Sequence, residues 1–539
     1  MSEVQEIISV PATPRPATVA PTPPSLPVGC PPTQYNSPSL ARSPLLDTDE
    51  LVENPPLPLP PPPNKSTPRS GGATPRMSLT PRFISPLGSP IRRALHLTKL
   101  DPQDAWLPIT ESRNGNAYYA AFHTLCTGIG VQALALPVAF TILGWAWGTI
   151  CLTITFIWQL YTLWALVHLH ESTETGMRYS RYLDLCCATF GDKLGNWLSL
   201  FPIMYLSGGT CVTLIIIGGS TANIFFQLAC GATCSMKPLT AVEWYLVFTC
   251  AVVVLCQLPN LNSIAGVSLV GAITAVGYCT SMWVVSLVKG RLPGVSYHPV
   301  SASNDVAKFF LVLNGLGIIA FAFRGHNLIL EIQGTMPSSE KYPSHVPMWK
   351  GVKVAYLLIA LCLFPLAIAG YWAYGHLIPN GGMLSALFQF HSRDLSKPVL
   401  ELICLFIIIN ALSSFQIYGM PVIDHMESHY TSRMKKPCSW WIRSLIRAMF
   451  TFGSFFFAVA IPFLGSLAGL LGGIALPVTL AFPCFMWLKM KKPKKYSGMW
   501  WLNWGLGLLG VGLTVFIIAG GVYVVITTGI KVSFFKPAV

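Results

Sequence analysis

The sequence predicts an all-α membrane protein. Eleven transmembrane helices form a five-plus-five inverted repeat with one helix added, behind a disordered proline-rich tail. Three observations predict it. Hydrophobic residues make up 52% of the 539-residue chain and charged residues only 10%, where a soluble protein of this size carries about a quarter. Apolar runs recur from Asn116 to Thr528, each near the roughly 20 residues that cross a ~30 Å hydrocarbon core. The first and sixth runs are interrupted at mid-length, at Gly128-Ile129-Gly130 and at Phe323-Arg324-Gly325-His326. Discontinuous spanning helices lose backbone hydrogen bonds, so they persist where the freed groups hold something polar.

Residues 1–105 form the first domain. Of the 44 prolines, 23 fall in the first hundred residues, interleaved with Ser, Thr and Gly. Such a segment buries too little apolar surface to fold, and the run Pro58–Pro63 favours polyproline conformation. Thr-Pro-Arg recurs at Thr13, Thr67, Thr74 and Thr80, and Ser-Pro at Ser37, Ser43, Ser85 and Ser89. Two readings stand side by side. These are sites for proline-directed kinases, each phosphate adding close to two negative charges beside Arg82, Arg92 and Arg93, or the tail is plain solvated low-complexity chain. Nothing there resembles a charged-then-apolar cleaved signal, so the first span is expected to direct insertion.

Residues 106–539 form the second domain, the eleven-helix transporter. The spans read as 116–143, 145–170, 193–228, 241–259, 263–288, 305–335, 346–375, 396–424, 440–464, 466–490 and 500–528. Between the second and third, Arg178 to Phe190 reads as an amphipathic surface helix, with Tyr179, Tyr182, Leu183, Cys186 and Phe190 on its apolar side. The broken helices hold corresponding first and sixth places, and the two halves enter the membrane from opposite sides, which makes the repeat inverted.

The net charge of +14 is distributed as a membrane protein distributes it. With the N-terminus inside, cytosolic segments hold 26 Lys and Arg and the opposite side 8, with Arg324 inside the membrane. This positive-inside bias places the C-terminus outside and argues against nucleic acid as the partner. Lys489, Lys491, Lys492, Lys494 and Lys495 are expected to contact anionic headgroups of the lipid bilayer. Most of the 15 cysteines lie within spans as small apolar packing residues. Cys230 and Cys234 share one external loop, either as a local disulfide or as two thiols; no metal-like spacing accompanies them.

The residues that carry chemistry follow from the breaks. Glycines flanking Ile129 let the first span leave helical geometry at little steric cost, so that amides of Gly128, Ile129, Gly130 and Val131 face a carboxylate at a positive helix end. Glycine pairs also serve close helix packing, and that reading stays open. In the sixth span, Phe321, Ala322, Phe323, Arg324 and His326 stand where charge is expensive and usually faces a cavity, a partner or a proton path. His326 exchanges protons near neutral pH, and Glu331 does so if desolvation raises its pKa; the alternative is Arg324 paired with an acid and Glu331 locking the helix near the cytosolic interface. Tyr205 on the third span, and Ser413 and Ser414 on the eighth, offer polar faces, although Ser and Thr commonly bond their own helix. His123 reads as a satisfied core histidine. No phosphate-cradling loop, paired-His metal spacing or nucleophile elbow is visible, so neither an enzyme nor a cofactor is expected.

These residues resemble the amino acid/auxin permease family, and more closely its plant lysine–histidine-transporter-like branch, including members with long proline-rich tails. The resemblance covers about residues 105–537. It is carried by Gly325-His326-Asn327 leading into Leu330-Glu331-Ile332-Gln333, by Met348-Trp349-Lys350-Gly351, by Gly370-Tyr371-Trp372-Ala373-Tyr374-Gly375 and by Ser414-Phe415-Gln416-Ile417-Tyr418. It implies the leucine-transporter architecture and proton-coupled amino acid uptake at the plasma membrane, with substrate held between the first and sixth helices and the third and eighth completing the pocket. The chain departs from the family at two places. Gly128-Ile129-Gly130-Val131-Gln132 replaces the usual Gly-Ala-Gly-Val-Leu, and Arg324 replaces a small residue before Gly-His-Asn. A fixed cation there is expected to favour acidic or neutral substrates. Sodium coupling near Ser413 and Ser414 stays open, as do an auxin-like weak-acid carrier and a nutrient receptor signalling through its tail.

Overall fold

The computed structural model describes residues 102–172, 176–231, 239–300, 303–323, 325–339, 341–379, 381–528 and 534–535. The tail with its Thr-Pro and Ser-Pro sites, Cys234 and Arg324 lie outside the described residues. Among the described residues there is no strand, only the isolated bridge Glu171–Arg178. The chain is all-α, as expected.

The first segment starts at Ala117, where the Asn116 side chain accepts the N–H groups of Tyr118 and Tyr119, both at 3.0 Å. That satisfies two donors a helix start leaves orphaned. The segment breaks after Gly128 and resumes through a 3-10 turn Val131–Ala135 into helix Leu136–Leu169. Gly144 (φ +72°, ψ −179°) interrupts that helix in a conformation costly for any side chain, dividing the first segment from the second. The others in order are Asp192–Cys230 as the third, Ala241–Leu255 the fourth, Ala265–Lys289 the fifth, and Asp305–Gly334, itself broken, the sixth. His345–Tyr374 is the seventh, Lys397–Met434 the eighth, Trp440–Ala460 the ninth, Ala468–Lys491 the tenth and Gly498–Thr528 the eleventh.

Nine helices among the described residues are long and apolar enough to cross a membrane. The expected eleven exceed that number for physical reasons. The fourth segment has only 15 residues, and the first half of the broken first segment has 12, while its second half runs on into the second as one stretch, Val131–Leu169. Large apolar side chains such as Ile150, Ile154, Ile157, Leu508, Val515 and Phe516 remain on the outside, the surface a bilayer wants rather than water.

Two other expectations shift. The surface helix spans Tyr182–Phe190, not Arg178–Phe190, because Arg181 is extended (φ −130°, ψ 145°). Its fully buried residues are Tyr182, Leu185, Cys186 and Thr189, and Leu183 and Phe190, half-buried, pack against the same core. The eighth helix runs ten residues past its expected end at 424. Its 38 residues amount to roughly 57 Å at 1.5 Å each, so it projects beyond the hydrocarbon.

That projection builds the face on which the chain enters, here called the tail face. Residues 102–115 pack across it as a leader. Arg181 Nη1 meets Asp104 at 2.9 Å, and its Nε meets Asp424 at 2.6 Å. Asp424 also accepts the Ile109 N–H at 3.1 Å. Arg443 donates to Glu111 at 2.9 Å and to the Trp106 carbonyl at 2.5 Å, and pairs with Glu427 at 3.1 Å. Burial works against the charge on Arg181, but Asp424, Asp184 and Asp104 outweigh it and raise its pKa above the ordinary guanidinium value. The 3-10 helix Pro102–Trp106 opens this leader.

The opposite face is sealed by the connection after the fifth helix. His376 N–H donates to the Ser296 carbonyl at 3.1 Å, Tyr371 hydroxyl to the Tyr297 carbonyl at 3.0 Å and Tyr297 hydroxyl to the Trp372 carbonyl at 2.7 Å. Trp145 packs against them, tilted, its ring centroid 4.8 Å from that of Tyr371.

Arg181→Ala strips Asp424, whose side chain is 1% exposed, of its cation. Breaking a buried pair this way costs about 3–5 kcal/mol. The thermal midpoint of the detergent-solubilised protein is expected to fall clearly for Arg181→Ala and less for Arg181→Lys. An unchanged midpoint in both would show that the network contributes nothing.

Candidate functional site

The two breaks meet. Ile129 (φ −104°, ψ 89°) and Gly130 (φ −98°, ψ 167°) carry the first helix out of helical geometry. Phe323 (φ −97°, ψ 109°) ends the first half of the sixth, and Gly325 takes the left-handed conformation at φ +101° before the 3-10 turn His326–Leu328. A side chain at Gly325 would come within 3.2 Å of Thr127 Oγ1, so the second break lies directly on the first. Both are buried: Ile129 and Phe323 are nearly inaccessible.

Breaking the first helix frees carbonyls, and three hydroxyls from other helices take them. Ser414 Oγ donates to the Cys126 carbonyl at 3.2 Å, Tyr418 hydroxyl to the Thr127 carbonyl at 2.9 Å, and Tyr278 hydroxyl to the Ile129 carbonyl at 3.4 Å. Unpaired main-chain groups cannot be left in hydrocarbon, so the fifth and eighth helices hold the break open. Gln132 folds its side-chain amide back against Gly130.

The sixth helix is tied by its polar triplet. His326 Nε2 lies 3.1 Å from both the Gln159 carbonyl and Thr162 Oγ1. A carbonyl only accepts, so Nε2 carries the proton, and the ring is pinned to the second helix. Its Nδ1 is buried without a hydrogen bond among the described residues. Asn327 donates to Ser207 Oγ at 3.0 Å, inside the π-helical turn Tyr205–Gly209 of the third helix. Phe323 packs against Phe156, ring centroids 6.1 Å apart. Glu331 sits farther along, where Oε1 accepts the Tyr182 N–H at 3.1 Å and Oε2 is buried without a hydrogen bond among the described residues. It borders a cavity of about 30 Å³ shared with Arg181, Asp424 and His425 and lined as well by Ile109 of the leader.

Of the residues singled out in the sequence, Gly128, Ile129, Gly130, Val131, Phe321, Ala322, Phe323 and Ser414 therefore gather at the joined breaks. Tyr205 lies in the adjoining π turn. Ser413 bonds its own helix at the Ile409 carbonyl, 2.9 Å away, and His326 and Glu331 point into the second helix and the tail-face cavity respectively. His123 is a buried core residue whose Nδ1 lies 2.8 Å from Ser268 Oγ, while its Nε2 is buried without a hydrogen bond among the described residues, so it is only half-satisfied. Cys230 is disulfide-bonded.

The profile of the transmembrane amino acid transporter proteins matches residues 113–527. Lysine histidine transporter-like 8 of Arabidopsis thaliana is 54% identical over 99% of this chain and 98% of its own length. Lysine histidine transporter-like 1 of the same plant is 37% identical over 80% and 93%. The chain belongs to the transmembrane amino acid transporter family, in its lysine–histidine-transporter-like branch. GABA transporter 1 of Arabidopsis thaliana is a more distant relative, 28% identical over 72% of this chain and 86% of that one. Two solved structures also align: a Na+-coupled sialic acid symporter in its substrate-bound outward-open state, and Mhp1, a nucleobase-cation-symport-1 family transporter, closed with bromovinylhydantoin bound. Each is 12% identical over 79% of this chain, covering 92% and 96% of the respective partner, with TM-scores of 0.47 and 0.48. Membership of a transporter family agrees with the lack of any enzyme motif in the sequence.

Sequence reasoning missed Tyr278, Ser207, Gln159 and Thr162, each an ordinary residue of an apolar helix. It also missed Arg443, Arg447, Asp424 and Glu427 as a network, in which Arg447 lies 3.8 Å from Glu427, although four charges in the eighth and ninth helices were a signal.

Tyr418→Phe leaves the Thr127 carbonyl without its donor, an expected loss of about 1–3 kcal/mol seen as a lower thermal midpoint. Gly325→Ala combines left-handed strain of about 1–3 kcal/mol with the Thr127 contact. Uptake per molecule at the membrane is expected to drop at least about tenfold; wild-type uptake by that variant would show that the sixth break tolerates reshaping.

Proposed function

We propose that the chain is a proton-coupled amino acid symporter of the plasma membrane, with its N-terminus in the cytosol and its C-terminus outside. The observation that carries this reading is the meeting of the two breaks at Thr127 and Gly325. There, irregular backbone lies at mid-helix inside a bundle rather than against lipid, the setting in which transporters bind solutes. The substrate carboxylate meets the amides of Gly130 and Val131, since the Ile129 N–H already donates to the Leu125 carbonyl at 3.1 Å. The amino group meets carbonyls of Phe321 to Phe323, and Arg324 adjusts which side chains are accepted.

The names of the relatives, lysine histidine transporters and a GABA transporter, favour an amino acid as the solute. Proton rather than sodium coupling is favoured by the contact of the first and eighth helices. Carbonyls that a cation would need already accept hydroxyls from Ser414 and Tyr418. Two titratable groups of the sixth helix, His326 beside the break and Glu331 at the tail-face cavity, each keep one buried polar atom without a hydrogen bond among the described residues, and they are the candidate proton carriers.

Uptake of a panel of radiolabelled amino acids at about pH 5.5 and about pH 7.5, with and without sodium, tests the reading. Faster uptake on the acid side that is indifferent to sodium is expected. Glu331→Gln is expected to flatten that pH dependence, and Arg324→Ala with His326→Ala to cut uptake at least about tenfold. Full transport by the double variant would remove the site assignment, and sodium-dependent uptake would remove the proton.

A further inference from the structure

Where the second, seventh and tenth helices end on the tail face, aromatic and basic side chains collect that the transport pathway does not use. Trp164 and Trp487 face one another with ring centroids 4.8 Å apart, His168 lies 4.7 Å from Trp164, and His345 lies 5.0 Å from His168. All four are half-buried. His168 Nδ1 donates to the Trp164 carbonyl at 2.8 Å, which fixes the ring and leaves Nε2 for another partner. Lys491 is close enough to His168 to act on it electrostatically.

The lysines continue from there. Lys489, Lys491, Lys492, Lys494 and Lys495 are all exposed, and none joins an ion pair among the described residues; the lysine pair found there is Lys397–Glu401, at the other end of the eighth helix. Lys492 (φ 42°) and Tyr496 (φ 65°) are both left-handed, so the chain reverses tightly and holds these charges in one short connection. The eleventh helix then opens with Trp500, Trp501 and Trp504, and Tyr496 stacks on Trp500 at 5.3 Å. Tyr496 is 74% and Trp501 58% exposed. Amphipathic rings of this kind settle at headgroup level, and unpaired lysines beside them sit where lipid phosphates lie.

We propose that the tail-side ends of the second, seventh and tenth helices form a binding site for the headgroup of an anionic phospholipid in the adjoining leaflet. Lys491 and His345 meet the phosphate, His168 Nε2, an acceptor while Nδ1 donates to Trp164, takes an N–H or O–H of the headgroup, Trp164 and Trp487 flank the glycerol region, and the neighbouring lysines hold the lipid near. A soluble anion needs the cations alone. The flanking rings and the lipid-facing helix surfaces suit a ligand that keeps its tails in the bilayer. The site requires that these helices lie in a membrane and is independent of which solute is carried or what drives it.

The full-length protein in detergent is titrated with phosphatidylserine and, in parallel, with phosphatidylcholine, and bound lipid is counted by native mass spectrometry. Phosphatidylserine is expected to stay bound and to raise the thermal midpoint, and phosphatidylcholine to do neither. Lys489→Gln, Lys491→Gln and Lys492→Gln together are expected to weaken phosphatidylserine by about 100-fold. Arg433→Gln, Lys435→Gln and Lys436→Gln, at the end of the eighth helix, should change it less than about twofold. His168→Gln with His345→Gln is expected to weaken it with every lysine intact, which a diffuse basic strip would not do. Equal binding of both lipids, equal losses in the two triple variants, an unaffected histidine variant, or displacement of the lipid by millimolar inorganic phosphate would each overturn the proposal. The exposed lysine variants keep the wild-type midpoint in phosphatidylcholine if they fold, which separates lost binding from lost structure.

Discussion

A main-chain carbonyl in the middle of a bilayer has no water to turn to, and each one left bare costs several kcal/mol. The first helix nevertheless gives up its ladder over Ile129 and Gly130. It does so because Ser414, Tyr418 and Tyr278 reach across from the eighth and fifth helices to the carbonyls of Cys126, Thr127 and Ile129. The break is therefore a property of the bundle and not of one segment. Removing any of these hydroxyls changes what the first helix can do, though none of them lies in it.

The same logic governs the sixth helix. Gly325 turns the chain left-handed, and His326 and Asn327 then anchor it in opposite directions, to Gln159 and Thr162 of the second helix and to Ser207 of the third. The third helix accommodates this through a π turn at Tyr205–Gly209, the kind of local irregularity that recurs at functional sites. A moving sixth helix must carry or release these neighbours. Coupling between the site and the rest of the bundle follows from that geometry.

At the tail face, charge replaces apolar packing. The leader at 102–115 is held by Arg181 and Arg443 against Asp424 and Glu427 of the projecting eighth helix. Glu331 and the small cavity that Ile109 helps to line lie directly behind it. The leader thus lies across the Glu331 end of the sixth helix.

Much of this was legible in the sequence. Composition and the spacing of apolar runs specify helices in lipid, because the hydrocarbon thickness sets their length. Glycine at 325 marks where the sixth helix breaks, because few other residues allow its φ of +101°, and the Gly128-Ile129-Gly130 run marks the first break, where the Gln132 side chain fills the space a Cβ at Gly130 would take. The family motif at Gly325-His326-Asn327 places the chain among amino acid transporters. Sequence alone did not reveal which side chains complete the breaks. Tyr278, Ser207, Gln159 and Thr162 sit in apolar helices without any local mark, and their roles exist only once another helix lies against them. Nor did it show that His326 turns toward the second helix, or that Asp424 and Glu427 belong to one network with the leader. Local sequence determines where a helix must stop, since that is a matter of backbone sterics and burial. Only packing decides who satisfies the groups the stop leaves bare, because those partners come from distant parts of the chain.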